Sequence, residues 1–425
     1  MSRPRLIAQT REIDPVEDLL AHTSADRPLA WLRRGDGIVA AGSGAPVVIR
    51  VGAGEAAAAG SRAAALATAW RELTADAEID DPVGLPGTGL VAFGASTFDE
   101  DSAADSILVV PSTVVGRRGG RGWITRIRTA EEAADGARLV EPAPYGSHWA
   151  GRVGPGAQTP QSYQERVRDA LDEIAAGRLS KVVLARDLTG TVPADADLRR
   201  LVRALATGYP DTWTFAVDGL IGASPETLAT VHERTVTARV LAGTTARGAD
   251  PDGDTAASAA LAASVKDLDE HEYAVQSVLA ALRPHTRALA ASEQPFLLKL
   301  PNLFHLATDV EGELSDAASA LDLVGALHPT AAVAGTPTPA AVAAIRRLEP
   351  FDRGRYAGPV GWVDAAGDGE WAIALRCAQF ADAADDSGAR RVTAYAGAGI
   401  VAGSDPESEL LETRVKFRPL VDALA

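Results

Sequence analysis

Strand-length apolar segments crowd the second half of this chain without the regular strand–helix alternation that a doubly wound parallel sheet requires. TWTFAV, TLATVHE and TVTARV follow one another between residues 212 and 240, and FLLKL and LFHLATDVEGEL between residues 296 and 314. SKVVLARDLTG and RRVTAYAGAGIVAG read as further strands, the second ending in glycines. YAGPVGWVDAAGDGEWAIALRCAQF reads as one long hairpin turning at Ala366-Gly367-Asp368-Gly369. Helices fall between these groups. QSYQERVRDALDEIAAG has Thr159 as N-cap, Pro160 in its first turn and Gly177 as its stop. Residues 195–207, 254–283 and 406–424 are helical, and two short helices flank the proline-rich HPTAAVAGTPTP. This succession predicts an α+β fold: a two-layered, antiparallel-rich β-sandwich with helices packed outside, built as a single large domain.

Residues 1–150 read as a mixed α/β portion that completes the sandwich, and residues 157–422 as the region that carries the chemistry. Residues 29–33 and 38–41 form strands around Gly35-Asp36-Gly37, and residues 55–79 an alanine-rich helix. GLVAFGASTF, SILVVPSTVVGRR and RGWITRIRT are successive strands. Residues 135–160, rich in Gly and Pro, are the expected linker or crossover.

A formal charge of −16 argues against nucleic acid or an anionic membrane as partner, since either needs a basic face. A small anionic substrate stays open, because a few buried cations act locally. Cys377 is the one cysteine, so no intrachain disulfide framework and no cysteine zinc site is expected, and the chain suits a reducing cytoplasm. No run approaches the ~18 apolar residues of a membrane span. The opening MSRPRLIAQT, broken by charge and proline, is not expected to be a signal peptide.

Several polar residues stand out against this apolar background. Lys181 shares a strand face with Val183 and Ala185; if that face is covered, desolvation leaves a neutral amine able to act as a base, and if not it is an edge lysine reaching water. Glu226 follows Gly222-Ala223-Ser224-Pro225, a place for a general acid or for an ordinary exposed glutamate. Glu409, Glu412 and Lys416 share one face of the last helix, and Lys266, Asp267, Asp269, Glu270 and Glu272 crowd another. These carboxylates could hold one hard cation from two helices, or form solvated ion pairs. Gly397-Ala398-Gly399 fits a dinucleotide loop poorly, with too little chain after it, and suits close approach of backbone amides to a carboxylate. Arg376, between Leu375 and Cys377, calls for a carboxylate partner from protein or ligand. His305, inside LFHLAT, reads alone as a hydrogen-bonded core histidine.

Taken in order, these segments resemble the chorismate-utilising enzymes, the family that holds isochorismate synthases, salicylate synthases, anthranilate synthase and aminodeoxychorismate synthase. SKVVLAR (180–186), GASPETL (222–228), LAGTTARG (241–248), KDLDEHEYAV (266–275), LFHLATDVEG (303–312), LHPTAAVAGTP (327–337), EPFDRGRYAGPVGW (349–362), LRCAQF (375–380), AYAGAGIV (394–401) and PESELLETRVK (406–416) carry the resemblance. They span residues 160–420; the first 150 residues match less specifically. The resemblance implies chorismate as substrate, Mg2+ as cofactor and a monomer. Position by position it implies Lys181 as the base that activates water and Glu226 as the opposing acid. Glu270 and Glu412 become metal ligands, with Glu409 in or beside the metal shell. Gly243, Thr244, Tyr356, Arg376, the backbone of Gly397, Ala398 and Gly399, and Lys416 become contacts to the substrate's carboxylates and ring, and His305 a pocket histidine.

Within the family, Lys181 favours water over ammonia as nucleophile, and Ala242 removes the nucleophilic lysine of the aminodeoxychorismate synthases. Ala332 in HPTAAVAG stands where salicylate synthases tend to carry threonine. The resemblance therefore implies isomerisation of chorismate to isochorismate, for menaquinone or siderophore biosynthesis, with a salicylate synthase as the alternative. The expected mechanism gives Lys181 an apolar jacket that keeps it neutral and Glu226 a dry site that keeps it protonated.

Overall fold

The computed structural model describes residues 4–425 except 43, 45–46, 133–140, 302, 316 and 387. Among these residues thirteen strands join in one sheet and ten in a second. The strands pair antiparallel throughout, save for the short parallel contact of Leu6–Ile13 with Glu78–Asp80. Strands Leu6–Ile13, Ala30–Arg33, Asp36–Ala40, Thr113–Arg118 and Arg121–Thr129 extend the larger sheet, and Val47–Val51, Val91–Ala95 and Ser106–Val110 the smaller. The two layers meet through large aromatic side chains. Trp31 and Trp123 of the larger sheet share one core with Phe93, Trp362 and Trp371 of the smaller, each at most 1% exposed. The outer face of the larger sheet is covered by helices Arg199–Gly208 and Pro406–Leu424 through Leu201, Leu205, Phe417 and Leu420.

Polar groups also cross between the layers. Glu370, in the smaller sheet, accepts from the indole nitrogens of Trp31 and Trp362 at 2.9 and 3.1 Å, and from Arg118 Nη2 at 2.8 Å. Trp31 and Arg118 belong to the larger sheet, so one carboxylate joins strands of both.

Three local readings are corrected. The alanine-rich segment 55–79 forms two helices, Ala53–Ala59 and Arg62–Thr74. Gly60, at φ 90°, ends the first in the left-handed region, and the Ser61 hydroxyl accepts from Ala64 N to start the second. The first hairpin turns at Arg34-Gly35, both with positive φ, one step before the expected glycine pair. The long hairpin from Tyr356 is the third case. Pro359–Asp364 pairs with Gly369–Ile373, but Cys377–Ala384 belongs to the other sheet, so residues 374–376 cross from layer to layer. The chain also crosses between Leu220–Ser224 and Thr227–His232. The two crossings lie side by side: Ile373 N donates to Glu226 O at 3.1 Å and Ala223 N to Arg376 O at 3.2 Å.

Part of the expected linker, residues 133–140, lies outside the described residues. Residues 141–150 form neither helix nor strand and are pinned by Tyr145 to Asp18 at 2.9 Å and by Trp149 Nε1 to Asp197 O at 2.9 Å.

Truncating the shared carboxylate strands one guanidinium and two indole donors. Glu370→Ala is expected to cost about 2–4 kcal/mol of stability. Urea unfolding of the variant reads it as a lower midpoint at unchanged slope; an unmoved midpoint would show that the layers hold without this group.

Candidate functional site

Where the two crossings meet, a cavity of about 270 Å³ opens between strands, turns and two helices. Lys181 enters it as the first residue of strand Lys181–Pro193, with Val183 on the same side. That strand pairs with Ala389–Val401, which sets Val183 opposite Gly399. A Cβ at Gly399 would stand 3.1 Å from Lys181 Cε and 3.4 Å from a Glu270 carboxylate oxygen, so the missing side chain makes room for both. Alternation along the strand puts Gly397 and Gly399 on the cavity wall. Ala398, between them, does not line it and is fully buried.

Lys181 has a carboxylate neighbour where the sequence suggests an apolar jacket. Its Nζ lies 2.6 Å from Glu270 Oε1, delivered by helix Val265–Leu282. The ion pair sits in a nearly closed place, with side chains 9% and 15% exposed. Glu270 is held below its ordinary range: burial opposes its charge, but Lys181, through charge and hydrogen bond, outweighs that.

Glu226 lies in one crossing, fixed by Pro225 and by its amide donating to Ser224 Oγ at 3.2 Å. Burial pushes its carboxyl up to about 7, against the pull of Lys181, Lys416 and Arg376. Arg376 lies in the other crossing, at φ 49°, a left-handed conformation unusual for a residue other than glycine. Its guanidinium is buried and Nη1 has no hydrogen-bond partner. Burial lowers its pKa, while Tyr356 and Glu412 favour the charged form. Tyr356 stacks on Tyr395 at 5.1 Å and faces the cavity.

A bulge shapes the opposite wall. Pairing between Thr235–Ala246 and Leu303–Leu314 slips between Ala242 and Thr244, and Gly243 takes up the slack at φ 80°. The slip brings Thr244 Oγ1 to 2.9 Å from His305 Nδ1, and His305 Nε2 is left without a partner. Burial drives His305 well below its ordinary pKa, so the ring is neutral. Ala332 borders the cavity from the turn ahead of Ala334, whose carbonyl accepts from Val183 N at 2.9 Å.

The last helix supplies Glu409, Glu412 and Lys416. Lys416 Nζ pairs with Glu412 at 2.5 Å and donates to Gly397 O at 2.9 Å. Glu409 is raised to about 7, first by burial and then by the Glu412 charge. With Glu270 these make three carboxylates on one cavity. Among the described residues, no group of three His, Cys, Asp or Glu side chains is close enough to enclose a metal alone.

The site residues that the resemblance implies all line one cavity except Ala398, whereas Asp269 and Glu272 of the acidic helix do not reach it. Lys266 and Asp267 of that helix line it as well, and so does Arg353, to which the sequence assigns no role. Arg353 is 3% exposed. It pairs with Glu349 at 2.5 Å and donates to Val183 O at 2.7 Å and Val333 O at 3.1 Å, while Ala185 N donates to Glu349 at 2.7 Å. The pair therefore ties the Lys181 strand to the turn bearing Ala332. Its one sequence signal is the i,i+4 spacing within EPFDR.

The Glu226 carboxyl gives a direct check. Native Glu226 keeps its proton up to about pH 7, whereas the unfolded carboxyl releases it near 4.5. Between those values the native state binds more protons, so stability falls as pH rises through that window. Glu226→Gln removes this loss: relative to the parent, the variant should gain about 3 kcal/mol between pH 4 and pH 8. Denaturant unfolding at several pH values measures it; a difference that stays flat with pH would refute the raised carboxyl.

Comparison with known proteins identifies the family. The family model for chorismate binding enzyme matches residues 2–425. The chain is 44% identical over 277 residues to isochorismate synthase DhbC of Bacillus subtilis, covering 62% of this chain and 68% of that protein. It is 38% identical over 352 residues to the putative isochorismate synthase MenF of Mycobacterium tuberculosis, covering 80% and 87%. The solved structure of MenF, the menaquinone-specific isochorismate synthase from Escherichia coli, superposes with a TM-score of 0.78 at 26% identity, covering 99% of this chain and 95% of that one. No described helix is long and apolar enough to cross a membrane.

Proposed function

The chain belongs to the chorismate binding enzymes, and from that premise we propose that it is an isochorismate synthase, moving the ring hydroxyl of chorismate from C4 to C2. One observation carries the reading: a carboxyl poised near neutral pH, an amine and a guanidinium with a free nitrogen share one cavity. Water adds at C2 while the C4 hydroxyl leaves and the double bonds shift between them. Addition needs a base, departure needs an acid, and the two must hold opposite proton states at one pH.

Glu226, kept protonated by burial, gives its proton to the departing C4 oxygen. Lys181 takes the proton of the attacking water from the other side of the ring. Lys181 Nζ lies 2.6 Å from Glu270, and a cation held by Glu270 would leave the amine free for this role. Arg376, with its free Nη1, and Tyr356 hold the enolpyruvyl carboxylate, and amides near Gly399 close around it. His305 Nε2, neutral and unpartnered, offers one more hydrogen bond to the substrate. These cations and dipoles act locally, which reconciles a dianionic substrate with a chain of net charge −16.

The residues present fit a divalent cation such as Mg2+. Such an ion takes one or two carboxylates and leaves its other positions to water and substrate oxygens, so an incomplete protein cage is what it needs. Burial and then the Glu412 charge raise Glu409, and positive charge there would relieve the repulsion. Glu270 and Glu412, with Glu409 beside them, would hold the ion, and bound there it would neutralise the ring carboxylate and draw electron density from the diene.

Incubation with chorismate and Mg2+ should yield isochorismate; salicylate with pyruvate as the main products would replace this reading with a two-step synthase. Lys181→Ala and Glu226→Gln should each lower turnover by about 10²–10⁴-fold while chorismate still binds. Turnover near that of the parent in either variant would remove that residue from its role. Glu412→Gln should require more Mg2+ for half-maximal rate, and a titration superimposable on the parent's would take Glu412 out of the metal site.

A further inference from the structure

The proposed reaction, on which this inference rests, leaves Glu226 in a different state from the one in which it began. One proton passes from the attacking water to Lys181 and one from Glu226 to the departing hydroxyl, which leaves as water. Each turnover therefore ends with Glu226 as a carboxylate, which must regain a proton before the next. On its cavity side Glu226 faces Lys181, Lys416 and Arg376, cations that favour the carboxylate, and the Lys181 amine is turned to Glu270.

A second void reaches Glu226 from behind. Glu226 and Ala332 wall both this void and the active cavity. Its volume is about 10 Å³, near the least that holds one water. Thr330 lines it, only 7% exposed, and its Oγ1 has no hydrogen-bond partner. A buried hydroxyl in that condition is accounted for by a water beside it. Thr227, Ala238 and Arg239 line the void and also a cleft of about 680 Å³ whose rim residues Ala290, Asp309 and Glu311 are exposed. Thr227 Oγ1 accepts from Trp213 Nε1 at 2.8 Å, which leaves its own hydroxyl proton to donate. The charge of Arg239 at the neck is matched by Asp309 at 2.6 Å.

We propose that Thr227, Thr330 and one water in this void carry a proton from the outer cleft to Glu226 after each turnover. Solvent supplies the proton, the hydroxyls pass it on without net change, and the Glu226 carboxylate takes it up, while Lys181 returns to solvent, through the active cavity, the proton it took from the attacking water. The enzyme is thereby reset from the side opposite its substrate, while the cavity is still emptying. Thr227 and Thr330 are positioning residues in this scheme; neither touches the ring.

Two variants test the path by different means. Thr330→Val removes the hydroxyl at nearly constant shape, and Ala238→Val narrows the neck without changing a polar group. With enzyme in excess over chorismate, both should form the first equivalent of isochorismate at the parent rate. Under steady-state conditions both should turn over several-fold more slowly, and inhibition by added isochorismate should change from competitive to noncompetitive, because resetting has become slow. Thr330→Ser, which keeps a hydroxyl, should restore the parent behaviour. Unchanged steady-state turnover in both variants, or a first turnover slowed as much as the later ones, overturns the path. If the parent itself forms no isochorismate, the underlying function fails instead.

Discussion

Two neighbouring strands that leave one sheet for the other set the chemistry of this protein. A continuous ladder hands its side chains alternately to core and solvent, and leaves little place for a polar group turned into a dry pocket. At residues 224–227 and 373–377 the ladder breaks, and Glu226 and Arg376 occupy the breaks. The crossings hold each other through two backbone hydrogen bonds, so neither residue can shift without the other. Arg376 accepts a left-handed backbone there, a local cost that persists because the surrounding structure fixes it.

Much of the charge at the cavity is arranged in pairs. Lys181 answers Glu270, Lys416 answers Glu412, and Arg353 answers Glu349. A buried pair contributes little net stability compared with well-packed apolar groups, so such pairs are better read as positioning. The Arg353–Glu349 pair fits this view, since its remaining hydrogen bonds go to the backbone of the Lys181 strand and of the turn beside Ala332. Glu226 and Glu409 have no such partner, and both are raised toward neutral pH. The carboxyls without a lysine are thus the ones whose protonation can change during a reaction.

Local patterns in the sequence are enough to find most strands and helices here, because caps, turns and apolar runs act over a few residues. Thr159-Pro160 starts its helix as the spacing requires. The hairpin from Tyr356 was misread because the apolar run continues unbroken through the crossing at residues 374–376; nothing local distinguishes a strand that stays in its sheet from one that changes sheets. The site residues were legible as a set through ordered family motifs, not through chemistry visible at any one of them. The partner of Lys181 was not, since Glu270 comes 89 residues later on a helix whose docking is tertiary. Arg353 is hidden for a related reason: an i,i+4 pair reads as surface decoration until burial is known.

Glu370 gives the sandwich a built-in reporter. Its two indole donors come from opposite layers, and both rings are almost wholly covered. Their nitrogen-bound hydrogens can exchange with deuterium only when the layers part. The exchange of Trp31 and Trp362 therefore times the breathing of the whole molecule, separately from motions around the cavity.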